Sequence, residues 1–395
     1  MAPLRVLELY SGIGGMHCGL SESGVSAEVV AAVDVNTTAN EVYKHNFPST
    51  PLWPKSIEGI SLSELDSLSF DMILMSPPCQ PFTRIGLQGD VSDPRAKSFL
   101  YVLEILPRLK KTPSYILLEN VKGFETSEAR LTLIRTLESC GYLYQEFLLS
   151  PPCLGIPNSR LRYFLIAKLQ AERFAFQANN KILEDFPCTD RSSSSLCLGE
   201  NLQTDADENS PGNHEQCPEG AILYKLETAE QLERKMNQDN DPSVQILQDF
   251  LEENVEISQY LLPPKSLLRY ALILDIVRPT CRRSTCFTKG YGHYVEGTGS
   301  ILQTATDVEI SSAYKSLEAL SDEEKLAKLS TLKLRYFTPR EIANLHGFPA
   351  SFGFPEKITT KQRYRLLGNS LNVHIVAKLI ALMLLSPRRS IQNTT

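Results

Sequence analysis

Short apolar runs alternate with amphipathic stretches through the first part of the chain. Residues 4–9, 29–35, 71–75, 115–118 and 162–168 are runs typical of buried strands. Between them, residues 37–47 and 99–109 carry apolar side chains at helical spacing, as do Leu131, Ile134 and Leu137. This alternation predicts an α/β fold built on a parallel, doubly wound sheet, whose ligands bind beyond the carboxyl ends of the strands.

The pattern weakens after about residue 170. Residues 188–220 are rich in Ser, Asp, Glu, Asn and Gly, and they predict a flexible insert. Residues 221–274 predict a mostly helical stretch, and residues 371–385 a final amphipathic helix. We therefore expect a first domain over residues 1–170, a smaller region over 171–334, and a C-terminal segment over 335–395.

Charge and cysteine content narrow the class of protein. The chain has 46 acidic and 40 basic residues, for a net charge of −6. It therefore has no overall positive charge with which to hold a nucleic acid, but the sequence still allows a local basic surface. No apolar run approaches the length of a membrane span, and the first residues do not resemble a signal peptide. Nine cysteines without a CxxC pair argue against a disulfide framework or a zinc site, so we expect no metal and a reducing intracellular compartment.

A glycine-rich loop directly follows the first predicted strand, and it consists of Ser11, Gly12, Ile13, Gly14 and Gly15. About twenty residues on, Asp34 ends the second predicted strand, where a carboxylate can accept hydrogen bonds from ribose hydroxyls. The spacing fits neither the dinucleotide fingerprint nor the P-loop, so a nucleoside ligand without phosphate, such as S-adenosylmethionine, fits better than either. A tight turn without a ligand is the alternative.

Two residues between the second and third predicted strands extend this hypothesis. Ile57 can supply an apolar wall for an adenine ring, and Glu58 a polar contact. An ordinary strand and loop would carry the same two residue types, and the sequence leaves both interpretations open.

A cysteine framed by prolines follows the strand predicted over residues 71–75. The segment reads Ser76-Pro77-Pro78-Cys79-Gln80, and the two prolines fix the backbone that presents the Cys79 thiol. A buried cysteine in a core needs no such frame. Carbon 5 of a pyrimidine attacks a methyl group only after a thiolate has added to carbon 6, so Cys79 predicts covalent pyrimidine chemistry.

Charged residues at two further strand ends are candidates to assist that chemistry. Glu119, with Asn120 beside it, follows residues 115–118 and can protonate or hydrogen-bond N3 of a cytosine if its pKa is raised. Arg160 and Arg162 are alternate residues, which on a strand would point at one site. A solvated carboxylate and a solvated arginine pair are the alternatives.

Taken together, these segments resemble the cytosine-5 methyltransferase family. The resemblance is carried in order by residues 10–15 (YSGIGG), 77–80 (PPCQ), 119–121 (ENV), 158–162 (NSRLR) and 368–370 (GNS). It implies a Rossmann-like S-adenosylmethionine-dependent methyltransferase sheet with a smaller target-recognition domain. It also implies that Cys79 is the nucleophile, that Glu119 contacts N3 and that Arg162 contacts the target base. Ser76, Asn369 and Ser370 join the cofactor residues on this resemblance, which also implies that the C-terminal segment returns to the first domain.

A narrower resemblance concerns residues 286–288 (CFT) and 297–300 (GTGS), with Tyr291 and Tyr294 between them. These are similar to a branch of the family once classed as DNA methyltransferases. That branch implies methylation of an anticodon-loop cytosine, of the position-38 type, in tRNA, with aspartate tRNA as the typical substrate. DNA cytosine methylation and a catalytically idle nucleic-acid-binding scaffold stay open as alternatives. We expect a monomer that acts in the cytoplasm, with the nucleus as a second compartment and no membrane partner.

An RNA substrate requires cationic contacts to its phosphates. The candidates are Arg84, Lys122, Lys265, Arg269, Arg282, Arg283, Lys289, Lys361, Arg363 and Arg365. Tyr291 and Tyr294 are predicted either to stack on unpaired bases or to pack in the core, and the sequence does not separate the two.

Overall fold

The computed structural model describes residues 2–78, 96–170, 173–187, 229–295, 297–314 and 317–386. The strands in these residues are β1 (Leu4–Leu9), β2 (Ala27–Val33), β3 (Leu52–Trp53), β4 (Met72–Met75), β5 (Tyr115–Val121), β6 (Tyr142–Leu149), β7 (Arg162–Leu169), β8 (Ile276–Val277), β9 (Ile301–Gln303) and β10 (Leu334–Arg335). The helices are α1 (Gly15–Glu22), α2 (Thr37–Asn46), α3 (Leu62–Leu68), α4 (Lys97–Ile105), α5 (Glu128–Ser139), α6 (Ala229–Asp239), α7 (Pro264–Tyr270), α8 (Ile310–Tyr314), α9 (Asp322–Ser330), α10 (Pro339–Leu345), α11 (Thr360–Gly368) and α12 (Val373–Leu384).

A seven-stranded sheet forms the centre of the fold, in the order β3-β2-β1-β4-β5-β7-β6. Strands β1 to β5 run parallel to one another, as predicted. The strand order reverses between β1 and β4, so the loops after these strands diverge and leave a crevice at their carboxyl ends. The predicted α/β class is confirmed.

The far edge of this sheet corrects the prediction of a purely parallel arrangement. β7 lies between β5 and β6 and is antiparallel to both, and β6 was not predicted at all. The connection from β6 to β7 contains only one 3-10 turn, Pro151–Leu154, and no crossover helix. Without a crossover, consecutive strands pair antiparallel.

The second region departs further from its predicted elements. Between residues 229 and 274 the named elements are α6, α7 and three single 3-10 turns, so this described part is mostly helical as expected, but in short pieces. The polar insert expected over 188–220 lies outside the described residues. A small sheet in the order β10-β9-β8 forms the centre of this region.

Helices cover both faces of the large sheet with apolar side chains. On one face, Leu20 of α1 and Leu379 of α12 belong to a cluster that contains Val6 of the sheet. On the other face, Phe99 of α4 and Leu133 of α5 pack in a second cluster. Since α12 is the last helix, the end of the chain returns to its first domain, as expected.

The stretch Thr360–Leu384 is long and apolar enough to cross a membrane, which the sequence analysis did not expect. However, 67% of its apolar window is buried inside the fold. The stretch also consists of two helices, since α11 ends before Asn372 caps α12 by accepting the Ile375 N–H. The burial of α12 against the sheet accounts for its apolar composition.

Candidate active site

The glycine loop turns sharply at the end of β1 and is braced by Asp34. Gly12 and Gly14 adopt left-handed φ values of 52° and 89°, and a side chain on Gly14 would collide with the ring of Phe47. The Asp34 carboxylate accepts the Gly12 N–H at 2.8 Å and the Asn36 N–H at 2.7 Å. Burial raises the pKa of Asp34, and these backbone hydrogen bonds oppose the rise. Asp34 therefore fixes the loop on which any ligand would rest.

A cavity of about 280 Å³ opens beside this loop, at the carboxyl ends of β1, β4 and β5. Six separate parts of the described chain contribute to its wall. The predicted site residues that line it are Ser11, Gly12, Ile13, Gly15, Asp34, Ser76, Glu119, Arg160, Arg162, Asn369 and Ser370.

A neighbouring cavity of about 270 Å³ shares Tyr10 and Asp34 with the first. Ile57 and Glu58 line this second cavity, in a 3-10 turn that follows β3. Ile57 is buried and Glu58 is exposed, so the pair offers an apolar wall with a polar rim. This arrangement suits an adenine ring, which is the role predicted for the pair.

The polar lining fits a nucleoside cofactor. The Ser11 hydroxyl is buried and has no hydrogen-bond partner among the described residues, although buried polar groups are nearly always bonded. A ligand with hydroxyl or amino groups in the main cavity would satisfy it. With Asp34 at one side and Ile57 in the adjoining cavity, the donors and walls match S-adenosylmethionine.

Glu119 and Arg162 meet across the neighbouring strands β5 and β7. Arg162 Nε lies 3.5 Å from Glu119 Oε1, and the two side chains are only 18% and 12% exposed. Burial raises the pKa of Glu119, and the nearby positive charges of Arg162 and Arg160 limit the rise. A carboxyl group in this environment can donate a proton to a ring nitrogen, which is the role predicted for it.

Arg160 is buried and joins its own segment of the chain to two others by hydrogen bonds. Its guanidinium donates to the carbonyls of Phe287 and Gly368, both at 3.1 Å, and to that of Ser370. Arg160 precedes β7, which begins at Arg162. Contrary to the prediction, alternation along a strand therefore does not account for the directions of the two arginine side chains. The contacts make Arg160 a positioning residue for the wall of the cavity.

A second cysteine, which the sequence analysis did not include among the site residues, lies beside both arginines. Cys286 Sγ is 3.3 Å from Arg160 Nη1 and 3.8 Å from Arg162 Nη2. Burial alone would raise the pKa of the Cys286 thiol, yet the two guanidinium groups bring it below its usual value. The motif at residues 286–288 distinguishes this segment in the sequence. However, Cys286 and Arg160 are 126 residues apart in the chain, so the motif does not predict their contact.

Cys79, the predicted nucleophile, lies outside the described residues, which resume at residue 96. The segment leading to it is well defined. The Ser76 hydroxyl donates to the Tyr10 carbonyl at 3.2 Å, and the Asn120 side chain donates to the Pro77 carbonyl at 3.4 Å. Pro77 and Pro78 both line the main cavity, so the chain reaches the cavity immediately before Cys79.

The predicted basic surface is only partly present. Arg283 is 9% exposed and ion-paired with Asp275 and Asp239, so it cannot serve as a phosphate contact, contrary to expectation. Arg282 and Arg363 are half-buried and donate to backbone carbonyls of the protein. Arg84 lies outside the described residues. The candidates that remain exposed are Lys122, Lys265, Arg269, Lys289, Lys361 and Arg365.

Comparisons with known proteins match this chain to one family. The profile of C-5 cytosine-specific DNA methylases matches residues 4–384. A Homo sapiens protein named tRNA (cytosine(38)-C(5))-methyltransferase is 64% identical, covering 97% of this chain and 100% of the relative. A Dictyostelium discoideum DNA (cytosine-5)-methyltransferase is 40% identical, covering 98% and 96% of the two chains.

The fold is shared with solved structures as well. The crystal structure of a mutant Spodoptera frugiperda DNMT2 has a TM-score of 0.75 and 39% identity, and the match covers 96% of this chain and 99% of that one. The family profile, the near full-length relatives and the shared fold agree with the motifs gathered around the cavity. This chain therefore belongs to the C-5 cytosine-specific methylases and is an enzyme of that family.

Proposed function

We propose that this enzyme transfers a methyl group from S-adenosylmethionine to carbon 5 of the cytosine at position 38 in tRNA, with aspartate tRNA as its typical substrate. The observation that carries the chemistry is the meeting of Glu119 and Arg162 in the cavity that holds the glycine loop. The choice of tRNA rests on the 64% identity to a relative named for that substrate. We further propose that the enzyme is a monomer that acts in the cytoplasm and also in the nucleus.

S-adenosylmethionine, when bound, supplies an electrophilic methyl group. Cys79 adds to carbon 6 of the cytosine through its thiolate, which makes carbon 5 nucleophilic enough to accept that methyl group. Glu119 donates a proton or a hydrogen bond to N3 as negative charge develops on the ring. Arg162 orients Glu119 and the base. Removal of the carbon 5 proton, through water, then expels Cys79 and restores the aromatic ring.

An anticodon loop suits this site because its bases are already unpaired. A target base must leave its stack to reach a nucleophile in a pocket, and a loop base does so at lower energetic cost than a base in a duplex. Methylation of DNA is the second candidate, favoured by the relative from Dictyostelium discoideum that is named for DNA.

The experiment is transfer of labelled methyl from S-adenosylmethionine to matched tRNA and duplex DNA. Wild type and Cys79→Ala are compared, with Cys153→Ala as the control, because Cys153 is an exposed cysteine that does not line the cavity. We expect label on tRNA that is lost only in Cys79→Ala. Label on DNA alone would replace tRNA with DNA as the substrate, and label on neither would favour an idle scaffold.

The covalent step has its own test. RNA that carries 5-fluorocytosine at the target position has no removable proton at carbon 5, so the adduct with Cys79 cannot resolve. We expect wild type to form a stable protein–RNA complex that survives denaturation, and Cys79→Ala to form none. Normal turnover by Cys79→Ala would refute the assignment of the nucleophile.

A further inference from the structure

The structure distinguishes the roles of Tyr291 and Tyr294, which the sequence left open. Tyr291 is 2% exposed, its hydroxyl donates to the Ser300 carbonyl at 2.8 Å, and the same hydroxyl accepts the Phe337 N–H at 2.9 Å. Tyr291 is therefore a core residue. Tyr294, three positions on, is 64% exposed. Its ring meets the imidazole of His293 edge-on, with the ring centres 4.6 Å apart.

We call residues 288–298 the aromatic loop; residue 296 within it lies outside the described residues. The loop is held from within. The Tyr294 N–H donates to the Gly290 carbonyl at 2.9 Å, and the Thr298 hydroxyl donates to the Tyr294 carbonyl at 2.7 Å. The Thr288 N–H donates to the Thr298 carbonyl at 2.9 Å and closes the base of the loop. Tyr294 is thus presented by a backbone that is already ordered.

The same loop adjoins the wall of the active-site cavity. A side chain on Gly368, which lines that cavity, would lie 2.3 Å from the backbone at Thr288 and Lys289, so the two backbones are in direct contact. Arg160 reinforces this contact, since it donates to the carbonyls of both Phe287 and Gly368. The exposed tyrosine is therefore fixed relative to the residues that would receive the target cytosine.

Charge identifies what this exposed ring would contact. Lys289, at the start of the loop, is exposed, and so are Lys361 and Arg365 of α11, the helix that ends at Gly368. Proteins hold unpaired nucleotides with cations on the phosphates and aromatic rings on the bases, and the aromatic loop and α11 expose both residue types. An ordered loop adds affinity because little side-chain or backbone freedom is lost on binding.

We propose that Tyr294, backed by His293, is a stacking platform for an unpaired nucleobase of the RNA substrate, one that neighbours the cytosine entering the cavity. This inference rests on the proposed function and deepens it, because it assigns a second base-binding position outside the catalytic cavity. Its consequence is that the enzyme reads the unpaired loop around its target as well as the target itself.

The test measures methyl transfer to an anticodon stem-loop RNA by wild type, Tyr294→Ala, Tyr294→Phe and Met236→Ala. Met236 is the matched control, since it is also 64% exposed but lies on α6. Loss of one base stack weakens RNA binding by about 5- to 150-fold. We expect Tyr294→Ala to raise the KM for RNA within that range, with the loss falling on KM rather than kcat, and Tyr294→Phe to restore binding.

A series of stem-loops with an abasic nucleotide at each loop position in turn, the target excepted, locates the stacked base. At that position the abasic RNA should bind wild type as weakly as Tyr294→Ala binds intact RNA, and the two losses should not add. Independent losses at every position, or an unchanged KM in Tyr294→Ala, would overturn the inference. If wild type transfers no methyl to the intact stem-loop or the full tRNA, the proposed function itself fails.

A fluorescent variant reports stacking without catalysis. The chain contains a single tryptophan, Trp53, so Tyr294→Trp adds one new emitter whose signal is obtained by subtracting wild type. We expect stem-loop RNA to quench this signal and the RNA abasic at the stacked position to leave it unquenched. Equal quenching by both RNAs would overturn the stacking contact.

Discussion

At the scale of single residues, the proposed reaction depends on a carboxyl group whose charge is set by its surroundings. Glu119 is mostly buried, and Arg162 lies 3.5 Å away, so its proton affinity is balanced between burial and a nearby cation. Such a group can give a proton to N3 and recover it within one turnover. Asp34, in contrast, is held by backbone N–H groups and acts on the loop that receives the cofactor.

Glu119→Gln keeps the size of the side chain and replaces the carboxyl group with an amide, which can still form hydrogen bonds but cannot transfer a proton to the base. We expect kcat to fall by about 10²- to 10⁴-fold, the usual contribution of general acid–base catalysis. Binding of S-adenosylmethionine, measured by calorimetry, should not change. Glu104→Gln, an exposed residue of α4 paired with Arg108, is the control. Full activity of Glu119→Gln would remove proton transfer from the role of Glu119.

Asp34→Ala removes the acceptor of the Gly12 and Asn36 N–H groups together with the predicted ribose contact. Hydrogen bonds to a charged group contribute about 1.5–3 kcal/mol, so we expect S-adenosylmethionine to bind roughly 10- to 150-fold more weakly. Calorimetric titration measures this, with Asp322→Ala, on the exposed side of α9, as the control. An unchanged affinity would show that Asp34 has no part in cofactor binding.

At the scale of elements, β1, α1 and α2 enclose a buried polar cluster behind the glycine loop. Glu8 of β1 accepts the Tyr43 hydroxyl at 2.6 Å and the His17 N–H at 3.3 Å. Burial raises the pKa of Glu8 to about 8 and lowers that of His17 to about 4. At neutral pH both side chains are therefore uncharged, and the cluster is a hydrogen-bonded chain rather than an ion pair.

This cluster predicts how folding stability depends on pH. A raised carboxyl pKa means that the folded state resists deprotonation, so stability is lost as the pH rises between the unfolded value of 4.5 and about 8. His17 titrates in the unfolded chain near pH 6.5 and in the folded protein near 4, so its effect on folding stability is confined to pH values below 6.5. The interval from 6.5 to 8 therefore isolates Glu8.

Glu8→Gln should flatten the pH dependence in that interval. Wild type should lose at most about 1.4 kcal/mol per pH unit relative to the variant. Urea unfolding at several pH values measures the difference, and Glu28→Gln, on the exposed part of β2, is the control. Parallel stability curves for wild type and Glu8→Gln would mean that Glu8 is ionised in the folded protein.

The elements also show what sequence could and could not predict. β1, β4 and the glycine loop follow from local apolar runs and local glycines, and their bounds agree closely with prediction. β6 and the antiparallel direction of β7 follow from pairing between distant segments, which no local pattern records. For the same reason, the approach of Cys286 and Gly368 to Arg160, across 126 and 208 residues, was not predicted.

At the scale of the whole molecule, the two segments that flank residues 188–228 each make contacts with other described parts of the chain. Leu183 exchanges backbone hydrogen bonds with β6, and Lys235 of α6 contacts Asp275 at 2.6 Å. Arg283 links Asp275 to Asp239 at the end of α6. These ion pairs and hydrogen bonds hold α6 to the rest of the second region.

Deletion of residues 192–213 should therefore leave methyl transfer and the melting temperature largely unchanged, since shortening a long connection costs little. Asp275→Ala is the comparison, because it leaves Arg283 and Lys235 partly buried without their common partner. Loss of one partner from a buried ion pair costs about 3–5 kcal/mol, so this variant should melt well below wild type. Collapse of the deletion variant would show that the polar stretch has a structural role.

The return of the C-terminal segment to the first domain has a consequence for how the enzyme is made. The glycine loop near residue 12 leaves the ribosome early, but Ser370 and Leu371, which pack against Gly15, are synthesised last. At 5–20 residues per second, roughly 20 to 70 seconds separate the two events. A nascent chain thus carries its first domain with an unfinished site until that segment emerges, and a message truncated before α11 would lack the two residues that pack against Gly15.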